Sequence, residues 1–298
     1  MPSRRGAAIL LMLGASFLLA AMGLAVKLAS AHYSAGEIAC YRGLLGTLLV
    51  AAMMRHAGVG MRSPRPWSQF LRGLTGAVST VCFFYALGQL PLGTAVTLNY
   101  TSSVWIALFV LSGLAAGARS GDGRDPALAL AVLCGFGGMA LVLQPTVAAQ
   151  QLAAGLVGLA GGMLAGWAHL QVAALGRAGE PALRTVFYFS IGNAAAGAAA
   201  MAAGPPPSAH SAAGIGLVAA LTLCATAAQI MLTRAYAIGT PMVNASLQYL
   251  SIAWAFGFGL LLFGDHVGPA SAMGVAIIVA AGIAASAPQR RRQPARSS

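Results

Sequence analysis

Long apolar stretches follow one another along almost the whole chain, separated by short polar, glycine- or proline-containing breaks. A stretch of about 20 apolar residues is long enough to cross the hydrocarbon core of a bilayer as a helix. The strict alternation of a membrane β-barrel is not the pattern here. The pattern therefore predicts an all-α integral membrane protein with ten transmembrane helices, over residues 6–26, 35–54, 69–89, 92–115, 127–145, 153–174, 183–203, 213–234, 241–263 and 268–286.

Polar and aromatic positions inside two of these stretches repeat. Residues 98–105 (LNYTSSVW) match residues 247–254 (LQYLSIAW), and the segment YALG at 85–88 matches YAIG at 236–239. Five spans then belong to each copy, and because five is odd the second copy enters the membrane from the opposite side. Transporters use such inverted repeats to build a site between their halves. We predict a first repeat at 1–145, a linker at 146–152, a second repeat at 153–287 and a basic tail at 288–298.

Charge is scarce, with 7% of residues charged and 58% hydrophobic, whereas soluble domains average about 25% charged residues. This composition excludes a sizeable soluble domain. The net charge of +12 does not indicate nucleic-acid binding, because the basic residues are scattered between apolar stretches. They follow instead the rule that cytoplasmic loops carry Lys and Arg. We expect both termini in the cytoplasm of a bacterial-type inner membrane, with these basic residues on the inner side: Arg4, Arg5, Arg55, Arg62, Arg65, Arg72, Arg119, Arg124, Arg177, Arg184, Arg234, Arg290, Arg291, Arg292 and Arg296.

No group of residues predicts catalysis or a cofactor. The four cysteines lie in apolar stretches without metal-ligand or disulfide spacing, as expected for small buried hydrophobes. The GFGG segment at 135–138 lies inside a span with no preceding strand, so it is not a nucleotide-binding loop. We therefore expect neither an enzyme nor a bound cofactor or metal. An integral-membrane enzyme and a non-transporting scaffold or sensor are the alternatives from other classes.

Some ionisable residues within or at the ends of predicted spans are candidates for function, because a charge is costly there. Lys27 ends span 1 and Glu37 begins span 2 on the outer side, so we expect them to pair, as a structural ion pair or as an outer gate. Arg42 lies about two turns into span 2 and is either a pathway residue or an anchor of the bundle. His169, inside span 6, is either a proton relay or a hydrogen-bonded structural histidine.

Polar and aromatic side chains within the spans are candidates for lining a solute cavity. Thr97, Thr101 and Trp105 lie on one stripe of span 4, and polar groups at membrane depth need partners. Thr side chains can also bond to their own helix, and aromatic residues can simply pack. Aromatic faces suit apolar, aromatic or cationic solutes. The cavity candidates are Tyr85, Thr97, Asn99, Tyr100, Thr101, Trp105, Trp167, Gln171, Gln229, Gln248, Tyr249 and Trp254.

The chain resembles the EamA-type, ten-helix branch of the drug/metabolite transporter superfamily. The resemblance lies in the run AMGLAVK ending at Lys27, in Glu37 and Arg42 of EIACYR, and in residues 85–105, which are similar to the family's helix 3–4 hairpin. The acidic residue often found at the end of helix 4 is absent, because Gly117 and Ala118 stand there. Asp265 retains it at the end of helix 9, in the second half only.

The resemblance implies a secondary transporter, often an exporter of amino acids, metabolites or drugs, with a central cavity between its halves. We expect alternating access to a site built by helices 1, 3, 4, 6, 8 and 9, for amino-acid-like, aromatic or cationic solutes. A proton or a counter-substrate would drive transport. The partners expected are the solute and the lipid bilayer, with no nucleic acid, and the chain would be a monomer or a homodimer. A carrier for uptake or exchange, such as an S-adenosylmethionine-type antiporter, is the alternative function.

Overall fold

The computed structural model describes residues 4–90, 92–114, 126–144, 149–203, 207–263 and 268–286, and within these ranges the chain is helical without strands. The predicted all-α fold is confirmed. The helices are α1 (Arg4–Ala29), α2 (Ala35–His56), α3 (Pro66–Gln89), α4 (Leu92–Leu111), α5 (Pro126–Leu143), α6 (Leu152–Arg177), α7 (Ala182–Ala202), α8 (Ala212–Ile238), α9 (Pro241–Gln248), α10 (Leu250–Phe258) and α11 (Pro269–Ser286). Outside the described residues lie Gly117, Ala118, Arg119, Arg124, Asp265 and the basic tail at 288–298.

Within the described residues, nine helical segments are long and apolar enough to cross a membrane, and α9 with α10 forms one of them. The tenth crossing helix is α3, whose 24 residues extend about 36 Å at 1.5 Å per residue. It is less apolar because it carries Gln69 and Arg72. Its start at Pro66, three residues before the predicted one, places a proline in the first turn, where the missing amide hydrogen costs nothing.

The ninth span is interrupted, whereas the sequence predicts one continuous helix over 241–263. The amide of Ile252 bonds to the Tyr249 carbonyl at 2.9 Å instead of reaching back to Gln248. The Gln248 carbonyl accepts the Ser251 hydroxyl at 2.8 Å instead. The break at Tyr249 separates α9 from α10, and a π-helical segment, Gly259–Phe263, follows α10. The break at Tyr249 arises because the Ser251 hydroxyl occupies the backbone carbonyl that the helix would otherwise use, and hydropathy does not reveal such a bond.

The helix contacts repeat between the two halves. Helix α1 packs along α8 as α6 packs along α3, and α4 contacts α6 as α9 and α10 contact α1. Helices α2 and α7 pack against each other, as do α5 and α11. Exchanging the halves therefore preserves these main contacts, as expected for two copies of one five-span unit, whereas α6 also contacts α8 without a comparable contact between α1 and α3. We call the membrane face where α1 begins the terminal face, and the face where α1 ends the distal face.

Glycines bring several helices into backbone contact. The Gly158, Gly162 and Gly166 row of α6 faces α4, where a Cβ on Gly166 would lie 2.8 Å from the Ser102 carbonyl oxygen. The close packing predicted from this spacing is confirmed. On the α2–α7 pair, a Cβ on Gly43 or on Gly197 would run into the backbone of the partner helix. These contacts fix α4 against α6 and α2 against α7 without intervening side chains.

Candidate functional site

The two copies of the repeated motif meet where α4 crosses the break between α9 and α10. The hydroxyls of Tyr100 and Ser251 share a hydrogen bond, and the Tyr249 hydroxyl donates to the Tyr100 carbonyl at 3.5 Å. The Ser103 hydroxyl donates to the Ala245 carbonyl at 3.0 Å. Tyr100 and Tyr249, which occupy matched positions in the two copies, lie with 6.2 Å between ring centroids. This crossing is a polar joint between the halves.

The matched amides of the two copies have different surroundings. Gln248 is buried and accepts a hydrogen bond from the Tyr236 hydroxyl at 3.3 Å, whereas Asn99 is only half-buried. Tyr249 is fully buried, while Tyr100 is half-buried. In this conformation Gln248 and Tyr249 of the second copy are buried, whereas Asn99 and Tyr100 of the first copy keep accessible surface.

The candidate aromatic residues fall into two clusters. Trp105 stacks on Phe109 with ring centroids 6.0 Å apart, and Phe109 meets the edge of Trp167 at 5.4 Å. This cluster joins α4 to α6. Trp254 instead packs edge-to-face on Phe17 of α1 at 5.5 Å.

Two of these candidates lie at the surface. Trp254 is 43% exposed and Tyr85 is 49% exposed, and the role of each as a cavity residue stays a prediction. The two matched tryptophans, Trp105 and Trp254, therefore do not face a common space. On α4 itself, Thr97 and Thr101 are buried, and the Thr101 hydroxyl donates to the Leu98 carbonyl of its own helix, as the structural alternative predicts.

A polar cavity lies between α2 of the first half and α7 and α8 of the second. Arg42 contributes the charge, and Ser190, Asn193, Thr226 and Gln229 contribute hydrogen-bonding groups. Two of these residues, Arg42 and Gln229, are sequence candidates. The cavity volume is about 20 Å³, room for roughly one water molecule. The Asn193 side chain also accepts the Thr80 hydroxyl of α3 at 3.0 Å, which links the cavity wall to α3.

Arg72, which the sequence places only on the inner side near the start of the third span, is buried in the helix. It is only 2% exposed and lies six residues after Pro66 in α3. Its Cζ atom is 4.4 Å from the centroid of the Phe189 ring, which also lines the Arg42 cavity. Its Nε and Nη1 atoms have no hydrogen-bond partner. A helix start at Pro66 was the sequence signal that could have placed Arg72 about two turns inside the span.

His169 and Gln171 of α6 lie near this region. The His169 ring stacks on Tyr236 with centroids 4.9 Å apart and planes 3° from parallel, and its buried Nδ1 atom has no hydrogen-bond partner. The Gln171 side chain accepts the Thr75 hydroxyl of α3 at 2.8 Å. His169 therefore packs on an aromatic ring without the hydrogen bond that the structural alternative predicts, and its role as a proton relay stays a prediction.

Glu37 is 1% exposed and ties the distal ends of the two halves together. It caps α2 with Ser34 in a capping box, the Ser34 amide donating to its carboxylate at 2.8 Å. The Ser208 amide and hydroxyl, in the α7–α8 connection, donate to the same carboxylate at 2.7 and 2.9 Å. These bonds come from Ser34 and Ser208 and not from the predicted partner Lys27, which is exposed. We call this group the distal clasp.

Glu180, a residue that sequence reasoning missed, has the corresponding place at the terminal face. It is buried just before α7 and accepts the Ser63 hydroxyl of the α2–α3 connection at 2.6 Å. Arg184 donates at 2.8 Å and Gln69 at 3.3 Å to its other oxygen. Burial raises the pKa of Glu180, but hydrogen bonds from Ser63 and Arg184 outweigh it and leave that pKa below its usual value. We call this group the terminal clasp.

The two clasps correspond under exchange of the halves. Each carboxylate lies at the start of α2 or α7, and each accepts hydrogen bonds from the connection that follows the other of these helices. The bonded residues are far apart in sequence, 171 positions for Glu37 and Ser208 and 117 for Ser63 and Glu180. Only tertiary structure brings them together.

Comparison with known proteins agrees with this architecture. The EamA-like transporter family model matches residues 6–144. The chain is 30% identical, over 93% of its length and 95% of the relative's, to "Pseudopaline exporter CntI" of Pseudomonas aeruginosa, in the strains UCBPP-PA14 and PAO1. The chain belongs to the EamA-like transporter family. It is thus a multi-pass membrane transporter of the drug/metabolite transporter superfamily.

A solved crystal structure supports the fold independently. It superposes on this family member with a TM-score of 0.81, covering 94% of this chain and 98% of the other at 21% identity. At that identity the likeness bears on the fold alone. The overall helix arrangement is therefore one that a solved structure also adopts.

Proposed function

We propose that this EamA-like transporter exports small organic metabolites or drugs across a bacterial inner membrane by alternating access, with both termini in the cytoplasm. The observation that carries the proposal is the polar cavity with Arg42 where α2 meets α7 and α8, because it lies between the two halves. Similarity to an exporter along nearly the whole chain supports the direction of transport. The excess of Lys and Arg at the terminal face supports the orientation.

The clasps are the gates in this proposal. Each joins the start of one half's helix to a connection in the other half, so neither face can open without separating a buried carboxylate from its donors. Alternating access requires one face to open while the other stays closed. In the outward-open state the Glu37–Ser208 bonds would be broken, and in the inward-open state the Glu180–Ser63 bonds would be broken.

The substrate region in this proposal extends from the Arg42 cavity toward the exposed side of α4. Asn99, Tyr100 and Trp105 keep accessible surface there, whereas Gln248 and Tyr249 support them from behind. Trp105→Ala should therefore change which solutes are accepted, and Asn99→Ala should change the rate. Gln248→Ala should mainly lower stability, because Gln248 is buried against Tyr236.

In this proposal, transport is not driven by protons passing along a row of carboxylates through the membrane. Among the residues that the structure describes, the acidic side chains are Glu37 and Glu180, and both lie at membrane faces. A proton could act on transport by protonating a clasp. Exchange against a counter-solute is the other form of coupling that this arrangement accommodates.

Transport in proteoliposomes tests the proposal. The purified protein would be reconstituted and assayed with a panel of amino acids, aromatic drugs and pseudopaline, with empty liposomes as the background. Uptake of at least one solute above background is expected, and its efflux should rise in cells overexpressing the chain. Failure of every solute in both assays would refute the proposal. A C-terminal reporter fusion active only in the cytoplasm checks the orientation.

A further inference from the structure

Two guanidinium groups lie in the membrane-crossing helices, and no carboxylate of the described residues lies beside them. Arg72 is almost completely buried and has two nitrogen atoms without a hydrogen-bond partner. Arg42 makes a weak contact, its Nη1 atom lying 4.0 Å from the Met22 sulfur. A buried charge that lacks a partner is strongly unfavourable. Such a charge is retained where function needs it.

The acidic residues that the structure describes are already occupied. Glu37 and Glu180 each accept three hydrogen bonds within their clasps, at opposite membrane faces. The one ion pair in the described part of the chain joins Glu180 to Arg184. Neither carboxylate is therefore the partner of Arg42 or of Arg72 in this conformation, and the described interior carries a net positive charge.

Phe189 connects the two arginines. Its ring contacts the Arg72 guanidinium and forms part of the wall of the Arg42 cavity. The same wall presents the amides of Asn193 and Gln229 and the hydroxyl of Ser190. A guanidinium surrounded by amide and hydroxyl groups suits a carboxylate, because carboxylate oxygens accept several hydrogen bonds at once. A solute cation would be repelled from the same place.

We propose that this cavity binds a carboxylate group of the transported solute, with Arg42 as the contacting residue and Arg72 as a second positive charge beyond Phe189. This inference rests on the proposed function in taking the bound group to belong to the transported solute. The solute class is thereby narrowed to carboxylates and amino acids that carry a free carboxyl group. Purely cationic solutes, which the aromatic residues alone would accommodate, are excluded from this cavity.

The size of the cavity agrees with a closed form of such a site. About 20 Å³ admits roughly one water molecule, so a whole solute enters only when the halves rock apart. Gly46 leaves room at the wall, because a Cβ there would lie 3.5 Å from the Thr226 hydroxyl and 3.7 Å from the Ser190 hydroxyl. Gly46→Ala therefore fits without a clash and narrows the space, which makes it a variant that acts on the site and not on the fold.

The test is binding to the purified full-length chain in nanodiscs of neutral phosphatidylcholine, measured by the thermal unfolding midpoint and by tryptophan fluorescence. The probes are matched pairs, glutarate with glutaramide and citrate with its triamide, plus spermidine as a cation. The carboxylates should raise the midpoint in proportion to occupancy. Arg42→Gln should weaken their binding by about ten- to a hundredfold, the worth of a charge-assisted hydrogen bond. Arg42→Lys should retain part of the binding.

Two controls keep the result interpretable. Arg55→Gln removes an exposed charge from the other end of α2 and should bind like the natural chain. Gly46→Ala should weaken binding without lowering the midpoint of the unliganded protein. Equal binding of each acid and its amide, or unchanged affinity in Arg42→Gln, would overturn the inference.

Two further outcomes separate this inference from the proposed function and from a lipid ligand. Transport that proceeds with spermidine or with the amides but not with carboxylates would overturn the carboxylate site while leaving the transporter proposal intact. Carboxylate binding lost in Arg42→Gln, without transport of any solute, would support the site and refute the export function. If phosphatidylglycerol raised the unfolding midpoint where the added acids do not, and Arg42→Gln abolished the effect, the cavity would be assigned to a lipid headgroup. That result would overturn the inference.

Discussion

The buried carboxylates and the buried guanidiniums of this chain have opposite surroundings. Glu37 and Glu180 lie at the two membrane faces, and each is saturated by three hydrogen bonds. Arg72 lies in the interior with two nitrogen atoms unpartnered, and Arg42 faces a cavity. The carboxylates are therefore the charges that stabilise the fold, whereas the guanidiniums are the charges that we propose bind a ligand. Removing a charge of the first kind should lower stability, and removing one of the second kind should lower function.

The largest expected effect is at the terminal clasp. Glu180→Ala leaves the hydrogen-bond donors of Ser63 and Gln69 without their acceptor and breaks the ion pair with Arg184. Losing one member of a buried charged network costs about 3 kcal/mol. The midpoint of thermal unfolding in detergent should fall by several degrees. Asp122→Ala, at an acidic residue on the loop between spans 4 and 5 in the sequence, is the control, and an equal loss there would contradict the assignment.

Arg72→Met should raise the stability of the protein, whereas Glu180→Ala should lower it. Replacing an unpartnered buried charge by an apolar side chain of similar length is stabilising by roughly 1–4 kcal/mol where the charge has no structural role. We therefore expect a higher unfolding midpoint together with transport reduced about tenfold or more. A lower midpoint would show that Arg72 is structural and would remove the contrast with Glu180.

At the distal clasp we expect a smaller loss of stability. Glu37→Gln retains the shape but weakens the charge-assisted bonds from Ser34 and Ser208, at a cost of about 1–2 kcal/mol. The same change should make the distal face easier to open. We therefore expect the transport rate to fall by less than the loss of stability alone would cause. Cysteines placed at Ser34 and Ser208 would measure this, because they should cross-link less readily in Glu37→Gln during turnover. Unchanged cross-linking would argue against a gate.

The smallest effect is the dependence of stability on pH. Because the pKa of Glu180 lies below its usual value in the folded chain, its stabilising effect is complete above the unfolded pKa of about 4.3. That effect is lost as pH falls through the folded pKa. The unfolding midpoint should therefore decline below about pH 4.5, and decline less in Glu180→Gln. Identical curves for the two proteins would show that Glu180 does not contribute.

Hydropathy was sufficient for the fold. Ten spans, their approximate limits and the duplication all follow from apolar stretches and from the match between residues 98–105 and 247–254. The meeting of Tyr100 and Tyr249 followed as well, because matched positions in an inverted repeat approach the middle from opposite sides. Local pattern and symmetry were enough for these features.

The remaining features depend on individual hydrogen bonds and on distant contacts. The break at Tyr249 arises from the Ser251 hydroxyl, and apolar composition is the same on both sides of it. Glu180 finds Ser63 only after the halves pack. The burial of Arg72 was not predicted because a charged residue near a span's end resembles a loop residue by hydropathy alone. Packing likewise decides that Asn99 keeps accessible surface while its matched residue Gln248 is buried.

The backbone contact between α2 and α7 has a mechanical consequence. At Gly43 and Gly197 the two helices touch without side chains between them, each against the other's main chain. Helices joined in this way can swivel about the point of contact, but sliding along each other would drive Ala194 and Cys40 into that main chain. In the proposed alternating access this pair would be the point about which the two halves turn, and an added methyl group at Gly43, which would clash with the Ala194 backbone, should hinder the transport of every solute alike.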